Sequence, residues 1–73
     1  MTRWDNVLET GSVGVDALRN FAEGKLSCEG VQVVFRKRYP EASATVRNLI
    51  RDRGTHEARK LAKTALKRRG LLK

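Results

Sequence analysis

The sequence predicts an all-α fold: a small single domain over residues 1–73 with four to five short helices, the last of them long, amphipathic and basic. Three observations predict it. Apolar residues recur at helical spacing along most of the chain. Capping and stop residues stand between the runs. The one stretch dense in β-branched residues has no second such stretch to pair with as a strand.

The elements follow in order. Trp4, Val7 and Leu8 form the first run, opened by Thr2 and Asp5 at capping-box spacing. Val15, Leu18 and Ala22 form the second, which ends at Gly24. Ser27 precedes the third run, Val31, Val34 and Phe35, and Pro40 stops it just after the basic turn Arg36, Lys37 and Arg38. Within 30–38, Val31, Val33 and Phe35 also alternate, so a short strand competes there with the helix. Val46, Leu49 and Ile50 make the fourth run, closed at Gly54. Ala58, Leu61, Ala62, Ala65 and Leu66 make the fifth, and Gly70 has the place of a residue just past a helix cap, folding Leu71 back onto Leu66. Phe21, Phe35 and Tyr39 are the remaining core candidates. The breaks "TGSVG" and "GKLSCEG" are too short to link separate domains.

A chain of 73 residues buries only about 60% of the surface its unfolded form exposes, so one modest core is all it can hold. Cys28 is the only cysteine, which excludes a disulfide within one chain and favours a reducing, cytoplasmic setting. Neither a basic-then-apolar leader nor the roughly 18 consecutive apolar residues of a membrane span occurs, so no membrane role is expected.

Charge divides the chain. From Met1 to Phe35, three basic residues face five acidic ones; from Arg36 to Lys73, thirteen basic residues face Glu41, Asp52 and Glu57, within an overall +8. Such polarity points to a polyanionic partner for one half and another task for the other.

Catalysis needs convergent groups, and Cys28 and His56 fall in separate elements with no motif around either, so no enzyme is expected. One Cys and one His fall short of the four ligands of structural zinc. "GSVG" and "EGK" lack the glycine spacing of a phosphate-cradling loop. Neither a metal nor a cofactor is expected.

What remains is the basic stripe. With the apolar positions of the fifth run turned inward, Arg59, Lys60, Lys63, Lys67 and Arg68 occupy its outer arc, with Arg69 and Lys73 beyond. Arg36, Lys37, Arg47 and Arg51 extend the candidate nucleic-acid-binding set. A merely solvated face would carry interspersed acids, and none stands between Ala58 and Lys73. Phosphate contacts of this kind position a protein without reading sequence. A membrane surface fits less well, because the apolar face is narrow, rich in alanine and free of Trp or Phe.

"TVRNLIRDRGTHEARKLAKTAL" also places two helices around Gly54 and Thr55, which raises a small helix-turn-helix-like DNA-binding repressor as the alternative. That motif favours a small residue four positions before the turn glycine and apolar residues six and nine positions after it. Here those places hold Ile50, Lys60 and Lys63. At the other end, Trp4, Val7 and Leu8 with Arg3 form either part of the core or a partner-binding anchor.

The "MTRWDNVLETG" start, the "VVFRKRYP" segment and the "KLAKTALKRRGLLK" end, at this full length, resemble the small RNA polymerase-binding transcription regulators of lytic Xanthomonas phages. The resemblance implies a monomeric protein in the cytoplasm of a bacterial host. It implies binding to bacterial RNA polymerase near the β′ N-terminus and the β flap, inhibition of promoter initiation by sigma displacement, and antitermination. The acidic-leaning half would dock, and the basic half would face nascent RNA or the DNA phosphate backbone.

Overall fold

A computed structural model describes residues 4–72, with the backbone alone at Asp5, Asn6 and Thr10. Arg3, Lys73 and the capping pair Thr2 with Asp5 therefore lie outside the described residues or side chains. Among the described residues the fold is all-helical, without a strand. A short α1 (Trp4–Val7) runs into a 3-10 turn (Leu8–Thr10), and α2 (Ser12–Ala22), α3 (Cys28–Arg38), α4 (Pro40–Arg53) and α5 (Thr55–Arg68) follow. The particle measures 27 × 24 × 24 Å.

The competition over 30–38 resolves to helix. Ser27 caps α3, its Oγ accepting the Gly30 N–H at 3.0 Å. Among the described residues no strand exists for the alternating valines to pair with, while the helical register buries Val31 and Phe35 together. Pro40 ends α3 by opening α4 at its first position, where a missing N–H is harmless. Only Tyr39 lies between the two helices.

The last helix is no longer than α4; both run 14 residues. Glycines bound it at each end. Gly54, at φ 81° and ψ 162°, is the single residue between α4 and α5, in a region that side chains with a Cβ rarely enter. At the other end Gly70 takes φ 71°, the Gly70 N–H donates to Lys67 O at 3.0 Å and the Leu71 N–H to Leu66 O at 2.9 Å. This Schellman motif folds Leu71 back against the core, as its sequence position predicts. The same pair of bonds closes α2 at Gly24.

The four long helices form a ring in which α2 packs on α3 and α5, and α4 on the same two, while α1 lies against α4 and α5. Trp4, Leu18, Phe21, Val31, Phe35, Val46 and Leu66 are wholly enclosed. Trp4 and Phe21 meet at 6.2 Å with rings tilted by 45°. The pair joins α1 to α2 across the centre. Tyr39, Val34 and Leu61 are only half-buried at its margin.

This core decides between the two readings of the N-terminus in favour of the core. Trp4, Val7 and Leu8 are 0%, 1% and 5% exposed, so they are not available as a partner-binding patch. In a chain this small the one tryptophan is too large an apolar asset to leave outside, since such a ring contributes several kcal/mol when enclosed, about 3–5 by truncation.

Candidate nucleic-acid interface

The fifth apolar run turns Ala58, Ala62, Ala65 and Leu66 wholly inward. That register fixes what its other side presents. Lys60, Lys63 and Lys67 are exposed, each one turn from the next, spanning about 10 Å of helix axis at ~1.5 Å per residue. Among the described residues no carboxylate lies within ion-pairing range of any of the three. Unpaired ammonium groups in a row are what a phosphate backbone requires.

The three lysines differ in their surroundings. Lys63 leans toward α2 and shares a groove with Arg19, Glu23 and Leu71, whereas Lys60 and Lys67 point away from the core. Arg68 is exposed at the last position of α5, and Arg69, exposed just beyond, pairs with Glu9 at 3.6 Å. That pair ties the end of α5 to the N-terminal turn.

Arg59 does not belong to the outer arc. It is half-buried and turned toward α2, where its Nε donates to Phe21 O at 3.1 Å and an Nη to Leu26 O at 3.3 Å. Its guanidinium also lies 5.2 Å from the centre of the Phe21 ring. The cause is register: Arg59 stands three residues before Ala62 and seven before Leu66, and a heptad returns to the same face with a drift of only ~20°. The Phe21 carbonyl in the last turn of α2 carries partial negative charge, which the guanidinium satisfies while it also reaches the Leu26 carbonyl in the loop beyond. Arg59 is thus a clamp between helices, removed from the surface set.

Arg47 and Arg51 are exposed one turn apart on α4, and Arg51 sits 3.4 Å from Asp52. Arg36 and Lys37 are exposed in the last turn of α3, together with Arg38. Positive charge therefore lies on α4, α5 and the end of α3, while on α2 Asp16 is paired with Arg19 at 3.6 Å and Glu23, just past that helix, with Lys25 at 3.4 Å.

Cys28 and His56 are closer in space than in sequence, because the first turns of α3 and α5 meet. The Cys28 thiol shares a hydrogen bond with Thr55 Oγ1 at 3.1 Å, next to His56 in the chain. His56 itself is exposed, and among the described residues no three His, Cys, Asp or Glu groups come together as a metal cluster would need. Among them also, no helix is long and apolar enough to cross a membrane.

The α4–α5 pair lacks the spacing of a helix-turn-helix. One residue joins the helices where that motif uses three or four, and Lys60 and Lys63 face outward where the motif would pack them against the preceding helix. Arg38 is a residue that the charge stripe alone did not single out; its signal was its place in the basic turn before Pro40. Compared with known proteins, the chain matches no protein-family model, no curated protein and no solved structure, so this surface is read from its own residues and geometry.

Proposed function

We propose that this protein is a non-catalytic transcription regulator that docks on bacterial host RNA polymerase and presents the lysine face of α5 to nucleic acid there. The observation that carries the nucleic-acid contact is the row of Lys60, Lys63 and Lys67, exposed and without acidic partners in a molecule of net charge +8. The basic, amphipathic character of the last helix is the working element of this reading: its alanines seat it on α2 and α4, and its lysines are held at fixed spacing by that seat.

The polymerase partner comes from the resemblance of the full chain to phage regulators of that enzyme. In that setting, rigidly held positive charge near the RNA exit path would retain nascent RNA and leave less room for a terminator hairpin, which is antitermination. Docking near the β′ N-terminus and the β flap would compete with sigma and inhibit promoter initiation. With the Trp4 cluster enclosed, the outward side of α2, where Asp16 pairs with Arg19, is a part of the first half still open to a docking partner.

The test is co-purification of the tagged protein with polymerase from a bacterial lysate, washed at high salt and treated with nuclease. Retained polymerase supports a protein-docked regulator. Loss of polymerase, with duplex DNA bound in a sequence-dependent manner, would replace it with the small DNA-binding repressor. The companion variant is Lys60→Glu with Lys67→Glu, chosen because both side chains point away from the core. It should keep the thermal midpoint and flatten the slope of log affinity against log salt by about 1.4 on a single strand, at ~0.7 per phosphate contact.

A further inference from the structure

Near the C-terminal end of α5 lies a groove that the row of lysines does not explain. It encloses about 600 Å³ between the N-terminal turn and the α3–α4 corner, lined by Val7, Glu9, Arg38, Tyr39, Glu41 and Thr45 among others. Small-ligand sites commonly occupy about 300–1,000 Å³.

Its walls combine three kinds of group. Tyr39 is half-buried and contributes ring surface; the ring is braced by Phe35 at 5.7 Å, and the hydroxyl lies against the backbone of Gly11. That bracing sets the plane of the ring in advance. Glu9 and Glu41 supply carboxylate oxygens, which in their ionised form only accept hydrogen bonds. Arg38 lines the groove, and Arg36 and Lys37, both exposed, immediately precede it. The groove is also linked to α5, because Glu9 pairs with Arg69 just past that helix.

The geometry points to this groove as the receptacle for one unstacked base of a single-stranded nucleic acid. The base stacks on Tyr39, a ring or exocyclic N–H donates to Glu9 or Glu41, and the flanking phosphates meet Arg36, Lys37 and Arg38. A duplex keeps its bases stacked inside and cannot offer one. Every base offers at least one N–H to the carboxylates and a face to the ring, so the groove selects single strands over duplex rather than one base over another. The inference rests on the proposed contact of α5 with a phosphate backbone, and the test keeps the two apart.

Full-length protein is titrated into labelled oligoadenylate, oligocytidylate, oligouridylate and an RNA duplex, read by fluorescence anisotropy, and into an oligocytidylate carrying one 2-aminopurine. The single strands are expected to bind about tenfold tighter than the duplex, the scale of one aromatic–base stack, and 2-aminopurine emission is expected to fall on binding. Thr45→Trp, which fills the groove, should erase the tenfold difference and leave duplex binding unchanged. If that variant does not fold, the 2-aminopurine signal of the wild-type protein decides. DNA strands of the same base composition should bind as well as RNA, because none of these contacts touches the 2′-hydroxyl. Equal binding of all four RNAs without quenching overturns the base receptacle and leaves the phosphate contact standing. Absence of binding to any probe overturns both.

Discussion

Removing the Arg59 guanidinium tests whether this residue is a structural clamp or a surface charge. Arg59→Ala deletes two charge-assisted hydrogen bonds to the Phe21 and Leu26 carbonyls and one cation–π contact with Phe21. Charge-assisted bonds contribute about 1.5–3 kcal/mol each in favourable cases, and a partly exposed cation–π contact about 0.5–1. At 3.1 and 3.3 Å, with Arg59 only half-buried, both bonds belong at or below the low end. Water can also replace part of what is lost, which gives a net loss of about 2 kcal/mol. A domain of this size has roughly 4–11 kcal/mol in all, at ~0.05–0.15 per residue. One kcal/mol shifts the midpoint of such a domain by about 4–8 °C, so thermal unfolding followed by circular dichroism should show a drop of roughly 8–16 °C. Lys60→Ala, one position along, should leave the midpoint where it is. Arg59→Lys should recover only part, because an ammonium group has no planar fork to span two carbonyls. A midpoint for Arg59→Ala indistinguishable from that of Lys60→Ala, together with weakened nucleic-acid binding, would return Arg59 to the outer face and refute the clamp.

Two further outcomes are expected. Trp4→Ala should remove about 3–5 kcal/mol, enough to leave much of the population unfolded; in the wild-type protein Trp4 emission should be blue-shifted relative to denaturant and unchanged by polymerase, whereas a change on binding would make Trp4 an anchor. Gly54→Ala should cost about 1–3 kcal/mol, because it forces a Cβ into the backbone region at φ 81°, and urea denaturation with an unchanged midpoint would show that the α4–α5 junction relaxes freely.

Helical periodicity and punctuation carried most of the architecture. The apolar runs match the inward faces except on α2, where Gly14, Ala17, Leu18 and Phe21 are enclosed and Val15 and Ala22 only partly buried, and Ser27, Gly24, Gly54 and Gly70 sit where the helices start and stop. Local signals of this sort act over a few residues, which is why one chain displays them. Two features depended on contacts far apart in sequence. Whether Trp4, Val7 and Leu8 dock inside or outside is decided by α4 and α5, which the N-terminal residues cannot reveal. Arg59 was hidden by its charge: its spacing to Ala62 and Leu66 already placed it on the inward side, but reading charge as a proxy for exposure overrode the period. The basic surface was legible as a set of residues. Its pairing state was not, since the sequence cannot tell that Arg69 meets Glu9 while Lys60 and Lys67 meet no acid among the described residues.

The bond from Arg59 back to Phe21 spans 38 residues of sequence, and α2 finds much of its packing against the last helix. During synthesis this has a direct consequence. Helices α2 to α4 can form as they emerge, but the end of α2 has no cation for its carbonyls, and Phe21 no cover from this side, until α5 has cleared the ribosome. Any message cut short before that helix yields a chain with an open core, so the positively charged segment is also the one that completes the fold.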